Sequence, residues 1–279
     1  MKKLFDVHAL LYGDYPELTR RLLGGFPVHP SINAYRIGLN QISEESRAVL
    51  DAWAEETAAQ IPVFTYEETT GRNVGKYPLM RRMLCCLGAP ADAVMWFDDD
   101  SYAPHGDHGW WDRAAAHWAS RPSDCVQTGI LHKIRQRGLQ FDGIRQQLWY
   151  RGKTVSSGSL FTFVTGGWWI ADRGFLRRWD YPFLALHHNG GDSILGELIR
   201  QQNQVMLPAG SLAACGCESC VSRAVAPRLP VVHVNVGGRK GRRGLGVSNE
   251  RYVWEDGRVP ADLQHQNFEL RVVRRCPSR

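Results

Sequence analysis

Val94-Met95-Trp96-Phe97-Asp98-Asp99-Asp100-Ser101-Tyr102 sets four apolar residues that need burial directly before three carboxylates that resist it. A buried strand whose carboxyl end opens into a cleft satisfies both halves. Successive side chains of a strand alternate faces, so a strand carried through the acidic run points Asp98 and Asp100 the same way, close enough to share one divalent ion. Open α/β sheets bind ligands in the crevice beyond the carboxyl ends of their strands, which suits a metal and a phosphate. The alternative is a solvated acidic turn, the commoner fate of a charge run. The apolar approach and the flanking aromatics favour the site.

Outward from this stretch, strands and helices alternate. Phe5–Tyr12 reads as a strand and Tyr15–Leu23 as a helix behind Asp14 and Pro16. Ala34–Leu39 is a second strand, Glu44–Ala58 a helix capped by Ser43, and Ile61–Tyr66 a third strand. A loop, Glu67–Gly75, leads to a helix at about Pro78–Leu87. Such alternation implies an α/β fold with a mostly parallel central sheet flanked by helices. After Tyr102 the pattern loosens. His108–Ser120 reads as a helix, Cys125–His132, Gln147–Tyr150 and Phe161–Ala171 as strands, and Arg173–Arg178 as a helix or turn. Ser193–Gln202 is a convincing helix and Val231–Val236 a last strand. With no repeat and no low-complexity linker, residues 1–279 read as a single catalytic domain. Its nucleotide-binding half runs to about 102, and its acceptor-binding half, from about 103 to 279, carries a basic C-terminal segment.

At 279 residues and 43% hydrophobic, the chain can bury a large core. Met1-Lys2-Lys3 opens like a signal peptide, but Asp6 and His8 interrupt the apolar region that would have to follow. No apolar run reaches the length of a membrane span, so the expected location is the cytoplasm. Seven cysteines, two of them adjacent at Cys85-Cys86, argue against a secreted disulfide framework. The net charge of +6 is concentrated in Arg239, Lys240, Arg242 and Arg243 and in Arg271, Arg274, Arg275 and Arg279. Such patches suit a polyanion, whether nucleotide diphosphate, nucleic acid or lipid surface, or simply form a solubilising face. Cys215, Cys217 and Cys220 are spaced for a structural Zn²⁺ that takes a fourth ligand from Cys125, Cys276 or a histidine; free thiols or one disulfide are the alternatives.

Taken together, these segments resemble a GT-A glycosyltransferase of the family-2-like type, over about Leu4 to Val236. Trp96–Tyr102 resembles that family's DxD signature, which implies Asp98 and Asp100 on a Mn²⁺ or Mg²⁺ ion and Asp99 beside the donor. A cation there neutralises charge developing on a departing nucleoside diphosphate, and carboxylate oxygens suit these hard metals. Thr70-Gly71-Arg72-Asn73-Val74-Gly75-Lys76-Tyr77-Pro78, with Arg81 one turn on, resembles the loop and helix that grip nucleotide and sugar, which implicates Arg72, Asn73, Lys76 and Arg81. Tyr12, Gly13 and Asp14 stand where the family binds base and ribose. Gly166-Gly167-Trp168-Trp169 and His187-His188-Asn189-Gly190-Gly191-Asp192 resemble its acceptor side, with Gly167 and Trp168 against the ligand. Asp192 takes the place of the base that deprotonates the acceptor in inverting members, and Glu197 is its reserve. His233 stands where many members complete the metal shell; a core histidine is the alternative. Gly237–Gly244 would be a flap over the donor.

The resemblance implies metal-dependent transfer of a sugar, from a UDP-sugar, onto an acceptor hydroxyl with inversion. A modified base in DNA is an attractive acceptor, because basic patches and exposed tryptophans suit a polyanion with an extruded base. Two rival classes stand beside this one. A nucleotidyltransferase acting on a sugar phosphate shares the fold and the paired carboxylates, but wants a glycine-rich phosphate loop after the first strand, which Leu11–Tyr15 lacks. A non-catalytic nucleic-acid-binding protein fits the basic and aromatic content, but three aspartates at a strand end would repel phosphates.

Overall fold

β1 (Phe5–Tyr12) is buried from Phe5 to Leu11, and its alternation divides the protein into two cores. Phe5, Val7, Ala9 and Leu11 face a cluster built with α1 (Pro16–Gly24), α2 (Glu44–Ala58) and α4 (His108–Ala119). Leu10 faces the other cluster, built with α3 (Lys76–Leu84), α5 (Arg173–Arg178) and α6 (Gly191–Gln201). The computed structural model describes residues 3–85, 90–135, 144–153, 160–184, 186, 190–209, 232–233, 262 and 265–276.

The other strands of the main sheet are β2 (Ile32–Asn40), β3 (Val63–Glu68), β4 (Ala93–Phe97), β6 (Cys125–Arg135), β7 (Leu160–Asp172), β8 (Val205–Pro208) and β10 (Leu270–Arg275). Their order is β10-β3-β2-β1-β4-β7-β6-β8. β1 pairs in parallel with β2 and β4, β2 with β3, and β6 with β8, while β7 and β10 run antiparallel to their neighbours. The expected α/β architecture, a mostly parallel sheet between helices, is the one the chain adopts. A separate ribbon pairs β5 (Ser101–Tyr102) with β9 (Val232–His233).

Local chemistry sets the helix starts. Ser43 Oγ accepts from Ser46 N at 3.2 Å and Glu44 and Glu45 fill the first turn of α2. Asp107 and Asp172 cap α4 and α5 in the same way. α3 and α6 begin instead at left-handed glycines, Gly75 (φ 83°) and Gly190 (φ 82°), with no side-chain cap.

Asp6 and His8, on the α3 side of β1, are buried in an ionic cluster. Asp6 Oδ2 lies 3.0 Å from Arg36 Nε and 2.6 Å from Arg173 Nη2, and Asp6 Oδ1 accepts from Asn33 at 2.7 Å. Burial, then Arg173 and Arg36, hold His8 well below its ordinary pKa, so the ring is neutral. Removing one partner of such a cluster strands a buried charge at a cost of about 3–5 kcal/mol.

Three expectations need correction. The acidic strand ends at Phe97, and Asp98–Asp100 form a turn before β5. Gln147–Tyr150 is a turn, which buries Trp149 and leaves Leu148 fully exposed, an in–out pattern that imitates a strand. Of the C-terminal arginines, Arg271, Arg274 and Arg275 belong to the edge strand β10, and Arg279 lies outside the described residues. Arg271 pairs with Glu67, Arg275 with Asp51 at 2.7 Å, and Arg274 lies over the Phe64 ring.

Candidate active site

The carboxyl ends of β1, β2 and β4 share one edge of the sheet, and the N-termini of α3 and α6 arrive beside it. β4 hands its register to the acidic turn: Phe97 pairs with Trp168, and Asp98 N donates to Gly167 O at 2.8 Å. Gly167 therefore acts through its backbone carbonyl. Asp98 is nearly buried, its carboxylate accepting from Trp96 Nε1 at 2.7 Å and meeting Lys76 Nζ at 2.7 Å. Lys76 also donates to Gly166 O at 3.2 Å. Asp100 is buried, whereas Asp99 is half-exposed. Because these residues form a turn, strand alternation does not govern Asp98 and Asp100. The turn is closed by Ser101 N donating to Asp98 O at 3.0 Å.

Asp192 enters from α6. Gly166 separates it from Lys76: a Cβ on Gly166 would lie 3.3 Å from Lys76 Nζ and 3.8 Å from Asp192 Oδ2. Burial raises the Asp192 pKa and the Asp98 charge adds to this, opposed by the Ser193 N–H and by Lys76. Asp192 Oδ1 accepts from Ser193 N at 2.8 Å. A carboxylate lifted in this way is a better proton acceptor near neutral pH than an exposed aspartate. Glu197, by contrast, is buried and committed to Arg200 and Gln201, at 2.6 and 2.7 Å, so the reserve base is tied up away from the crevice.

Tyr77, Tyr181 and Gln127 join Lys76, Gly166 and Asp192, with Met80, Val164, Trp169 and Leu195, around a closed crevice that leaves no room for a water molecule. The phenols of Tyr77 and Tyr181 hydrogen-bond each other, and burial pushes both well above the ordinary tyrosine range, which keeps them neutral. Gln127 is buried, and its Oε1 has no hydrogen-bond partner among the described residues. Gly191 is required by contact: a Cβ there would lie 2.3 Å from Tyr77 Cζ.

The remaining expected residues divide. Tyr12, opposite Asn40, is half-buried at the end of β1, and Asp14 is exposed just beyond it. Asn73 is turned inward: its Oδ1 accepts from Asn40 Nδ2 and Gly75 N, both at 2.9 Å, which pins the loop before α3. Arg72 pairs with Glu68 and Asp262. Arg81 holds the turn that carries Tyr181, donating to Pro182 O at 2.7 Å and pairing with Asp180 at 2.7 Å. These three brace the site rather than extend into it. Trp168 faces the α4 core, 5.8 Å from the Trp110 ring, while Trp169 stacks on Trp96 at 5.9 Å on the opposite face. With both faces of β7 covered, Trp168 offers no open ring to a ligand, which corrects that expectation.

The register of β9 sets the backbone of His233 opposite Ser101, beside the acidic turn. Cys215, Cys217 and Cys220, the run Arg239–Arg243 and His187–Asn189 lie outside the described residues. Cys125 is buried, its Sγ 3.5 Å from Gln127 O, and Cys276 is exposed. Among the described residues no group of three His, Cys, Asp or Glu is placed to hold a metal. A hard cation would find carboxylate oxygens at this turn, in competition with the Lys76 ammonium that already stands against Asp98. No described helix is long and apolar enough to cross a membrane.

No protein-family model and no curated protein matches the chain. Among solved structures it is similar to the mannosyltransferase PcManGT from Pyrobaculum calidifontis, in complex with GDP-Man and Mn²⁺, at 13% identity and TM-score 0.49. That match covers 75% of this chain, which spans only 55% of the mannosyltransferase's length. Mouse xyloside xylosyltransferase 1 in its apo form is similar at 11% identity and TM-score 0.47, covering 83% of this chain and 97% of that one. A 4-diphosphocytidyl-2C-methyl-D-erythritol synthase from Anaerococcus prevotii is similar at 10% identity and TM-score 0.45, covering 74% and 88%. Chain path alone therefore selects no chemistry among them. The chemistry rests on the site's own residues.

Proposed function

We propose that this protein is a metal-dependent glycosyltransferase of the GT-A type. It would move a sugar from a nucleotide-sugar, a UDP-sugar in the simplest case, onto an acceptor hydroxyl with inversion. One observation carries the reading: Asp98, which opens the acidic turn, and the raised-pKa carboxylate of Asp192 lie on either side of Lys76 and Gly166 at the carboxyl end of β4. A group-transfer site needs both halves, charge control for the leaving diphosphate and a base for the incoming hydroxyl.

In this reading Tyr12 and Asp14 contact base and ribose at the end of β1. Asp98 and Asp100 would hold the cation, with His233 as third ligand and Asp99 toward the donor. A divalent cation there supplies neutralisation of the departing diphosphate. Asp192 takes the proton from the acceptor hydroxyl as that oxygen attacks the sugar's anomeric carbon from the face opposite the nucleotide. A nucleotidyltransferase would release pyrophosphate instead, and nothing at the end of β1 forms the phosphate loop it needs.

The test is a panel of nucleotide-sugars with Mn²⁺, read for slow release of free sugar and nucleoside diphosphate, followed by acceptors that include free sugars and duplex DNA bearing a hydroxymethylated base. Hydrolysis of one donor class supports the reading. Pyrophosphate release from nucleoside triphosphate and sugar phosphate, with every nucleotide-sugar inert, overturns it.

A further inference from the structure

Lys76 is held from four sides. Its Nζ lies 2.7 Å from the Asp98 carboxylate and 3.2 Å from Gly166 O, with the rings of Tyr77 and Trp96 5.6 and 5.8 Å away. The lysine side chain is only 16% exposed and that of Asp98 10%, so the pair is largely shielded from water and salt. A lysine on a flexible stem is seldom so fully specified, because ordering it costs rotamer freedom. Its ammonium occupies one of the carboxylates that the reading above gives to a divalent cation. Two cations on one carboxylate repel strongly in such a setting.

Resting on that reading, we propose that Lys76 is the resident counter-ion of Asp98: it holds the acidic turn against free divalent cations and gives up Asp98 when a nucleoside diphosphate arrives to receive the ammonium. The charges balance, since Lys76 exchanges one carboxylate for a phosphate oxygen while the cation enters with the nucleotide. A methyl on Gly166 would sit 3.3 Å from Nζ, so the ammonium packs directly against this glycine in the resting state. Metal and nucleotide then tighten each other's binding reciprocally, because each alone faces the Lys76–Asp98 pair.

The experiment titrates Mn²⁺ into wild type, Lys76→Met, Lys76→Arg and the double variant Lys76→Met/Asp98→Asn. Free Mn²⁺ is read by electron paramagnetic resonance, with and without UDP or GDP, and circular dichroism verifies each fold. Lys76→Met should bind Mn²⁺ alone about tenfold or more tighter than wild type, because a positive charge has left the carboxylate. The double variant should lose that gain, Lys76→Arg should stay weak, and the tightening of Mn²⁺ by nucleotide should shrink in Lys76→Met. Equal Mn²⁺ affinity in wild type and Lys76→Met, with nucleotide-dependent Mn²⁺ binding intact, overturns the exchange and leaves Asp98 as an anchor for the lysine alone. Wild-type protein that takes up no Mn²⁺ even with nucleotide defeats the metal reading itself, and the exchange with it.

Discussion

Replacing Trp96 by Phe removes one indole N–H from Asp98 and leaves most of a fully buried ring in place. The N–H donates to Asp98 Oδ1 at 2.7 Å, and the ring stacks on Trp169 at 13° with 5.9 Å between centroids. A hydrogen bond to a charged acceptor contributes about 1.5–3 kcal/mol. The lost ring volume adds about 1 kcal/mol, because surrounding side chains relax only partly into the gap. Trp96→Phe should therefore destabilise by about 2.5–4 kcal/mol in denaturant unfolding. A double-mutant cycle with Asp98→Ala isolates the pair, and its coupling should be about 1.5–3 kcal/mol. Coupling below about 0.5 kcal/mol, the usual error of additivity, would refute the claim that Trp96 orients the carboxylate.

Asp192→Asn keeps the shape and the acceptor for Ser193 N, so the fold should hold while transfer falls by about 10²–10⁴ and nucleotide affinity is spared. The base must be deprotonated, so in wild type kcat/KM should fall as pH drops through a value above the ~3.9 of a free aspartate, a limb the variant lacks. Gly191→Ala forces a Cβ into Tyr77 and should cost about 1–3 kcal/mol in denaturant unfolding. For Glu67, burial works upward, but hydrogen bonds and charge from Arg47 and Arg271 prevail and hold the pKa low. Its contribution to stability is thus complete above the unfolded value of ~4.3 and lost as pH falls through the folded one. Glu67→Gln should flatten the acid limb of a stability–pH curve, and an unchanged limb would show that the arginines do not act through this carboxylate.

What was legible in the sequence followed the range of the interactions. β1, α2 and the break before α3 were written locally, in an unbroken apolar run, a Ser43 cap and a glycine-bearing loop. The acidic turn was located correctly but shaped wrongly, since only the tertiary bond from Asp98 N to Gly167 O shows where β4 stops pairing. Arg72, Asn73 and Arg81 carry the side chains of a phosphate grip, yet the fold spends them on Asp262, Asn40 and the Asp180–Pro182 turn. No spacing rule reaches across 33 or 101 positions to reveal that. Gln127, Tyr77 and Tyr181 escaped for the same reason: β6, α3 and the turn after α5 meet only once the sheet is built.

The outermost strand carries a consequence for how the chain reaches this state. β3 receives its edge partner from β10, and the pair Glu67–Arg271 closes over 204 positions. Until that segment returns, Val63–Glu68 presents an open row of amides and carbonyls beside Phe64 and Tyr66, a template for another molecule's strand. So distant a closure comes late in folding, because chain entropy opposes it until the rest of the sheet is in place. Partly folded molecules should therefore associate through β3. Refolding yield should fall with protein concentration, and more steeply for Arg271→Ala, where the returning strand has lost its ionic latch.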